Sequence, residues 1–326
     1  MTNANQHVVF GTGPLGLAVM DVLVAQGKEV TLVNRSGTIG EATARGVNVV
    51  RANATVPQEV TAVSRNAAVV YLCAMPPYTQ WPTLFPPLVN GVLAGVAATN
   101  ATLIYGDNLY MYGPNPNGGR ISEDLPDAAT GHKGRTRAAM AQTLLDAHAA
   151  GKLRVAIGRA PDFYGPRALN ATFGERFWQP VLAGKTPDLI GDIDQPHTYT
   201  FIRDFARGLV TLGAHEAALG QAWHVPSAPT ITTRQWLALV ETELGTTIKP
   251  RVANKAMLTM LGWFNPLIRE IKEMYPSFAN PYIVDHSRFA ATFGGEPTSH
   301  QTAIRETLAW FQQRTASSHS VSVGQH

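Results

Sequence analysis

A glycine-rich turn near the start of the chain, set between an apolar strand and a helix, constrains the fold more than any other feature. The strand covers residues 8–10, and Gly11, Gly13 and Gly16 follow it before a helix predicted over 15–26. Glycine at these positions permits a tight turn, close approach of the backbone to a ligand, and close packing of helix on strand. The helix N-terminus presents free N–H groups to an anion. We predict a Rossmann-type dinucleotide site whose pyrophosphate contacts are Gly11, Thr12, Gly13, Pro14, Leu15 and Gly16.

Short runs of apolar and β-branched residues alternate with longer helical patterns through the first half of the chain. This alternation is typical of βαβ units, which build a doubly wound parallel sheet of the α/β class. The predicted strands are 8–10, 29–33, 47–51, 68–73, 102–105 and 153–158. A helix over 201–212 is expected to return the chain to this sheet.

Length and patterning together predict two lobes. The chain has 326 residues, more than one typical small domain, and 45% of them are hydrophobic. We expect residues 1–165 to form the dinucleotide-binding domain and residues 191–225 to return to it. Residues 166–190 and 226–313 are expected to form a smaller α/β substrate lobe. The segment 314–326 is rich in Ser, Val and His without periodicity, so we expect it to be disordered.

Composition argues against several classes of protein. The formal net charge is +3, but only 15% of residues are charged and no basic run stands out, so nucleic-acid binding is not expected. A single cysteine excludes an internal disulfide, and the 10 histidines show no metal-ligand spacing, so we expect no metal. The sequence shows neither a signal-peptide pattern nor an apolar run long enough for a membrane span, which favours a cytoplasmic protein without membrane contact.

The end of the second predicted strand bears on the choice of cofactor. Sites specific for NAD usually carry Asp or Glu there to bind the ribose hydroxyls, whereas this chain has Asn34, Arg35 and Ser36. Asn34 removes a charge that would repel a 2′-phosphate, Arg35 offers a guanidinium to it, and Ser36 adds a hydroxyl donor. The sequence therefore predicts NADP(H). The alternative is that Arg35 is a solvated loop residue.

Three further segments resemble the extended short-chain dehydrogenase/reductase family, the NAD-dependent epimerase/dehydratase group. They are Tyr112-Gly113 after the fifth strand, residues 159–166, similar to R-P-x-x-x-Y-G-P, and residues 201–206, similar to Y-V-x-D-V-A. With the glycine turn, the resemblance spans residues 7–313. It implies a Rossmann domain that binds NAD(P), a C-terminal lobe over the nicotinamide, and a carbonyl or sugar-nucleotide substrate. Relatives commonly dimerise through a helical bundle, which here would include residues 134–150.

The resemblance also implies further cofactor contacts. Cys73, Ala74 and Met75 follow the fourth strand, where the family's backbone runs along the cofactor. Cys73 is expected to pack there rather than react. Asn53 follows the third strand, at a position where the family commonly has an adenine-contacting Asp.

The chain departs from the family at its catalytic positions. The family uses Ser or Thr, then Tyr, then Lys four residues after the Tyr. Here these positions are Asn108, Lys133 and Arg137. On a helix Lys133 and Arg137 share a face one turn apart, which we expect to point toward the nicotinamide ribose. Tyr164 is a candidate replacement phenol, although a tyrosine at this turn commonly only packs.

The replacements leave two roles open for Lys133. Arg137 keeps its proton, so it is expected to depress the pKa of Lys133, which then acts as proton donor or base, with Asn108 orienting the substrate oxygen. Isoflavone-reductase-like relatives resemble this arrangement in using a Lys near the nicotinamide. Alternatively, Lys133 and Arg137 merely hold ribose and phosphate. Four aromatic residues are either pocket lining or core: Tyr78, Trp81, Phe177 and Trp178.

Three functional hypotheses follow. The leading one is an NADP(H)-dependent oxidoreductase acting on a small organic carbonyl or activated double bond. The second is a catalytically silent NADP(H)-binding sensor, as in NmrA-like relatives of the family. The third is a sugar-nucleotide epimerase or dehydratase, which needs a basic cluster for a pyrophosphate in the C-terminal lobe, for which the candidates are Arg251, Arg269 and Lys272.

Overall fold

The computed structural model describes residues 3–40, 45–114, 119–263 and 266–323. Its strands are β1 (Asn3–Phe10), β2 (Glu29–Asn34), β3 (Asn48–Arg51), β4 (Ala67–Leu72), β5 (Thr102–Asp107), β6 (Arg120–Ile121), β7 (Arg154–Arg159), β8 (Phe163–Tyr164), β9 (Asp188–Ile190), β10 (Pro196–His197), β11 (Thr200–Phe201), β12 (Ala222–His224), β13 (Ile231–Thr232), β14 (Arg251–Ala253) and β15 (Ile283–Val284). Its helices are α1 (Pro14–Ala25), α2 (Pro57–Ser64), α3 (Trp81–Ala97), α4 (His132–Ala149), α5 (Glu175–Leu182), α6 (Ile202–Ala214), α7 (Thr233–Leu244), α8 (Lys255–Gly262), α9 (Pro266–Ala279), α10 (Ser287–Phe293) and α11 (His300–Val323).

Seven strands form one sheet in the order β12-β7-β5-β4-β1-β2-β3. Every neighbouring pair is parallel, which confirms the predicted doubly wound α/β fold. The six predicted strands are β1 to β5 and β7, and β12 comes from the stretch expected to return to the sheet. The winding direction changes between β1 and β4. Ligands of such sheets bind outside the carboxyl ends of the strands at this point.

Helices cover both faces of the sheet because successive side chains of each strand point to opposite faces. On β1, Val9 packs in the same core as residues of α1 and α6, such as Leu23 and Leu209. Its neighbours Val8 and Phe10 pack in the core covered by α2, α3 and α4. All five side chains are at most 1% exposed. Burial of one such side chain stabilises the fold by about 1.5–3 kcal/mol.

Pairs of short strands and an aromatic core build the smaller lobe. The strand pairs are β8 with β11, β9 with β14, β10 with β13 and β6 with β15. In the core Phe173 stacks on Trp236, with 3.6 Å between ring centroids. Phe177 and Trp178 pack against the same indole, so both belong to the core rather than to a pocket.

The last helix extends into the C-terminal segment. α11 continues through Val323, while the disorder expected for residues 314–326 stays a prediction. The Thr315 hydroxyl donates to the Phe311 carbonyl oxygen at 2.9 Å within this helix. The physical reason is visible in the sequence, because neither Gly nor Pro follows His300 until Gly324. An absence of amphipathic periodicity does not by itself end a helix that has already begun.

Candidate functional site

The glycine turn lies at the carboxyl end of β1, beside the loop that follows β4. Gly11 has a φ of +107°, and a Cβ added there would lie 2.6 Å from the backbone nitrogen of Ala74. A Cβ on Gly16 would overlap the carbonyl oxygen of Gly11. Both positions therefore require glycine, the first for its backbone conformation and the second for helix packing.

Gly13 differs from these two glycines because the space beside it is open. A Cβ added to Gly13 would meet no atom within 4 Å among the residues that the structure describes. Gly13 is the N-cap of α1, and Pro14 opens the helix, where its missing N–H costs no hydrogen bond. The first-turn N–H groups that follow, of Leu15 and Gly16, have no preceding helical turn to bond. An open backbone cradle at a helix N-terminus fits the pyrophosphate of a dinucleotide.

Asn34, at the end of β2, holds its loop together. Its Oδ1 accepts hydrogen bonds from the Ser36 backbone and hydroxyl, both at 3.0 Å, and from the Gly37 N–H at 2.6 Å. Its Nδ2 donates to the Thr12 hydroxyl at 3.2 Å and to the Thr38 carbonyl at 3.1 Å. Asn34 thereby connects the β2 loop to the glycine turn and fixes the loop that carries Arg35.

Two arginines stand at this edge of the sheet. Arg35 is exposed, and no residue within the described ranges pairs with its guanidinium. Arg51 ends β3 in register with Asn34, and its Cβ lies against Gly37, where an added Cβ would approach to 2.9 Å. Sequence reasoning did not find Arg51, because the signal is the register of β2 with β3 rather than any local motif. Together the two cations give the β2 edge a local positive charge suited to a phosphate.

The remaining predicted cofactor residues lie along the same edge. Asn53 caps its own turn, since its Oδ1 accepts from the Thr55 N–H at 3.1 Å and from the Thr55 hydroxyl at 3.0 Å. Cys73 donates its N–H to the Phe10 carbonyl at 2.9 Å, and burial raises the pKa of its thiol. This environment supports packing rather than reactivity. Ala74 borders Gly11, and the Met75 side chain is 59% exposed.

Lys133, in the first turn of α4, is held between the two lobes. Its Nζ lies 3.3 Å from Oε2 of Glu273 on α9 and 4.6 Å from the ring centroid of Tyr78. Its backbone N–H donates to the other Glu273 oxygen at 3.1 Å. Only 1% of Lys133 is exposed, so its charge acts strongly on nearby groups. Sequence reasoning missed Glu273, although Gly131 leaves the room that its carboxylate fills.

Arg137 reaches into the Rossmann domain. Its Nη1 donates to the Tyr105 hydroxyl at 2.6 Å and lies 3.1 Å from Oδ1 of Asp107. Arg159 approaches Oδ2 of the same carboxylate with its Nε at 3.4 Å. Burial raises the pKa of the Asp107 carboxyl, and the two guanidiniums oppose that shift. Arg137 is thus one of two cations on a buried carboxylate, while a contact with ribose remains a prediction.

Two tyrosines from neighbouring loops meet beside Lys133. Tyr78 opens a short 3₁₀ helix after β4, and Tyr110 opens another after β5. Trp81 contacts both rings, stacked on Tyr110 at 5.9 Å and edge-on to Tyr78 at 5.0 Å. Asn108 fixes the second loop, since its Oδ1 accepts from the Tyr110 N–H at 3.1 Å.

Asp162, just before β8, and His197, in β10, border the same cluster. His197 Nε2 lies 2.9 Å from Asp162 Oδ2, and the imidazole stacks on Tyr282. The Asp162 charge contributes to raised pKa values of both Tyr78 and Tyr110. Sequence reasoning missed this pair, because its members are 35 residues apart and share no motif.

Tyr164, the candidate replacement phenol, packs in the aromatic core. Its ring is 1% exposed and packs edge-on against Trp236 at 5.5 Å between centroids. Its hydroxyl shares a hydrogen bond of 3.3 Å with Nδ1 of His300. This surrounding supports the packing role that tyrosines at this turn commonly have.

Two searches of the described residues were negative. Within residues 3–40, 45–114, 119–263 and 266–323, no three His, Cys, Asp or Glu side chains are grouped so that they could hold a metal ion. Over the same ranges, no helix combines the length and the apolar character needed to cross a bilayer.

Known proteins share this fold over nearly its whole length. UDP-glucuronic acid 4-epimerase from Bacillus cereus aligns with a TM-score of 0.76 at 16% identity, over 95% of this chain and 99% of the epimerase. UDP-N-acetylglucosamine 4-epimerase from Methanobrevibacter ruminantium M1 gives 0.78 at 15%, over 96% and 100%. dTDP-glucose 4,6-dehydratase from Bacillus anthracis gives 0.78 at 16%, over 95% and 97%. These identities show the fold alone.

Comparison with family models identifies the family, which the solved structures alone do not. No curated protein sequence matches the chain significantly. However, the model of the NAD dependent epimerase/dehydratase family matches residues 8–225, which is more than half of the chain. That region contains the glycine turn, Lys133 and the 159–166 turn. The chain therefore belongs to the NAD dependent epimerase/dehydratase family, a family of enzymes.

Proposed function

We propose that this chain is a nicotinamide-dependent oxidoreductase of the epimerase or dehydratase type that binds NADP(H) and acts on a sugar nucleotide. The observation that carries the proposal is the open cradle at Gly13, at the same sheet edge as Lys133 and the two tyrosines. Family membership supports the cofactor class. The sugar nucleotides in the names of three proteins of the same fold support the substrate class.

The residues at the sheet edge fit a dinucleotide. The N–H groups after Gly13 would hold the pyrophosphate, the Ala74 backbone would lie along the cofactor, and Arg35 and Arg51 would hold a 2′-phosphate. Asn53 would border the adenine. When bound, the nicotinamide supplies or accepts the hydride.

Lys133 and Asn108 would act on the substrate oxygen. The Lys133 ammonium stabilises negative charge that develops on that oxygen, in a setting where water is excluded. The Asn108 carbonyl oxygen is engaged by Tyr110, which leaves its amide N–H group to orient the substrate. The Arg137–Asp107 ion pair joins α4 to the end of β5.

Carboxylates in the cluster suit a hydroxyl-rich substrate. The charges of Asp162 and Glu273 contribute to the raised pKa values of Tyr78 and Tyr110, so both carboxylates lie near these rings. A carboxylate accepts hydrogen bonds from sugar hydroxyls. Of the three basic residues proposed to bind the substrate pyrophosphate, the structure describes the side chains of two. Arg251 pairs with Asp188 at 2.6 Å and Lys272 is half-buried on α9, whereas the Arg269 side chain lies outside the described residues.

A small organic carbonyl or activated double bond is the second candidate substrate. The observation in its favour is that Arg251 already has a carboxylate partner, whereas the rings of Tyr78 and Tyr110 pack on the buried Trp81 beside Lys133. Aromatic rings beside one cation suit a compact substrate with one polar group.

One experiment distinguishes the two candidate substrates. Purified protein is incubated with NADP⁺ and UDP-glucuronic acid, and in parallel with NADPH and benzaldehyde, with Lys133→Met as the matched variant. Conversion of the sugar nucleotide, followed by nuclear magnetic resonance and reduced in the variant, is the expected result. Oxidation of NADPH by the aldehyde alone would favour the second candidate. Cofactor binding without turnover in either arm would point instead to a silent NADP(H)-binding protein.

Cofactor preference has its own expected outcome. Arg35→Ala or Arg51→Ala should weaken NADPH binding about tenfold or more, because each removes a cation from the 2′-phosphate, while NADH binding stays unchanged. Calorimetry measures both affinities. Arg65→Ala is the control, since this exposed arginine precedes β4 and so lies at the opposite end of the sheet. Equal loss of NADH affinity would contradict the assignment.

A further inference from the structure

A cavity of about 320 Å³ lies beside β12, the edge strand of the sheet. It is lined by the loop after β6, by α4 and α10, and by residues of β7 and β12. In the sheet order, β7, β5 and β4 separate β12 from β1, which the glycine turn follows. Leu145 lines the cavity from α4, about 18 Å along the helix from Lys133. The cavity is therefore separate from the proposed cofactor site, and its volume suits a small molecule.

Two buried side chains of opposite charge, Arg159 and Glu123, line the cavity. Arg159 is 6% exposed, with its Nε 3.4 Å from Asp107 and its Nη1 donating to the Tyr112 hydroxyl at 2.7 Å. Among the residues that the structure describes, no hydrogen bond uses its third nitrogen, Nη2. The Glu123 side chain is 7% exposed, and its Oε1 accepts from the His224 N–H at 2.9 Å. Its Oε2 has no donor within the described ranges, so both groups retain hydrogen-bonding capacity.

Arg288, on α10, has an unused donor beside the same cavity. Its Nη2 donates to the Ala222 carbonyl oxygen, and its guanidinium lies over the Trp223 ring, 4.3 Å from the centroid. Its Nε lies 3.6 Å from Glu123 Oε1, beyond hydrogen-bond distance. In the part of the chain that the structure describes, this buried Nε has no hydrogen-bond partner. A buried donor without a partner costs free energy, so a bound acceptor would stabilise it.

The rest of the cavity combines an apolar wall with a further carboxylate. Leu125, which is 37% exposed, and the half-buried Leu145 supply the wall. Asp127 is exposed and also lines the cavity. An anion alone would meet the negative charges of Glu123 and Asp127, and a cation alone would meet the two arginines. A ligand that carries both charges avoids either repulsion.

We propose that this cavity binds a small zwitterion with an apolar side chain, of the class of the apolar α-amino acids. The carboxylate of such a ligand accepts hydrogen bonds from Arg159 Nη2 and Arg288 Nε. Its ammonium group donates to Glu123 Oε2. Its side chain packs on Leu125 and Leu145, which removes apolar surface from water.

The proposed ligand site is connected with the end of β5. Arg159 shares the Asp107 carboxylate with Arg137, whose Nη1 lies 3.1 Å from Asp107 Oδ1. A ligand carboxylate on Arg159 therefore adds a negative charge beside an ion-pair network that reaches α4. Binding at this cavity needs neither the dinucleotide nor turnover, so the inference does not depend on the proposed function.

Calorimetric titration of the full chain with three probes tests the proposal. L-leucine carries both charges, 4-methylpentanoate lacks the ammonium group, and 3-methylbutylamine lacks the carboxylate. We expect L-leucine to bind with a dissociation constant of about 1 mM or lower, and each of the other probes to bind about tenfold more weakly or worse. Failure of L-leucine to saturate the protein at about 10 mM, or equal affinity for either of the other probes, would overturn the proposal.

Glu123→Gln keeps the size of the side chain and removes its charge. The affinity for L-leucine should fall about tenfold or more, whereas the affinity for 4-methylpentanoate should not fall, because only the ammonium group meets Glu123. Glu243→Gln is the matched control, since it also removes a carboxylate paired with an arginine, Arg305 at 2.9 Å, and should change neither affinity. Unchanged L-leucine affinity in a folded Glu123→Gln variant would contradict the proposed site.

Leu125→Trp tests the location of the site without removing a buried charge, so it applies even if Glu123→Gln does not fold. Because Leu125 is 37% exposed, a larger side chain can extend into the cavity without displacing the core. The affinity for L-leucine should fall about tenfold or more, and circular dichroism checks the fold. Full affinity in the folded variant would show that L-leucine binds elsewhere, which would overturn the proposal.

Discussion

Replacement of Gly13 by valine is expected to raise the dissociation constant for NADPH about a hundredfold or more while the fold stays intact. Gly13 has an extended backbone conformation, with φ −77° and ψ −176°, which valine adopts readily. Its side chain would occupy the open space that we assign to the pyrophosphate. A hundredfold loss corresponds to about 3 kcal/mol of binding free energy. Calorimetric titration measures the affinity, and circular dichroism checks the fold.

Two glycines provide the comparison. Among the described residues, a Cβ on Gly119 would also meet no atom within 4 Å, and Gly119 lies outside the turn, so Gly119→Val should leave NADPH affinity unchanged. Gly16→Val should instead disrupt the fold, because its Cβ would overlap the Gly11 carbonyl oxygen. Unaltered NADPH affinity in a folded Gly13→Val variant would show that the dinucleotide does not bind at this cradle.

Loss of the Asp107 carboxylate is expected to have the largest effect on stability. Asp107→Ala leaves the guanidiniums of Arg137 and Arg159 buried without their carboxylate, at exposed fractions of 5% and 6%. Removing one partner of a buried ion pair typically destabilises a protein by about 3–5 kcal/mol. Denaturant unfolding measures this change in the free energy of unfolding.

An exposed aspartate gives the matched control for that prediction. Asp188 pairs with Arg251, but both side chains are more than half exposed, at 60% and 69%. Water screens such a pair, so Asp188→Ala should not measurably change the unfolding free energy. Equal effects of the two substitutions would mean that the Asp107 cluster is solvated rather than buried.

The sequence predicts those parts of the site that depend on local pattern. The glycine turn, the strand before it and the helix after it lie within a few residues, so their spacing defines the cradle directly. The six predicted strands also depend on short apolar runs, and they were found in the sheet. The family resemblance depends on similarly local motifs and was confirmed.

The sequence did not predict the contacts between residues that are distant along the chain. Arg51 reaches the β2 loop only because β3 pairs in register with β2. Glu273 reaches Lys133 from 140 positions along the chain. Tyr78 and Tyr110 come from two loops to pack on the same indole, that of Trp81. No periodicity encodes such contacts, because they depend on how segments distant along the chain pack together in the fold.

Titration of the wild-type protein with NADPH and NADH under identical conditions tests the central claim most directly. The account predicts that NADPH binds, and that it binds about tenfold or more tightly than NADH, because Arg35 and Arg51 meet the 2′-phosphate. Failure of both dinucleotides to bind would contradict the account.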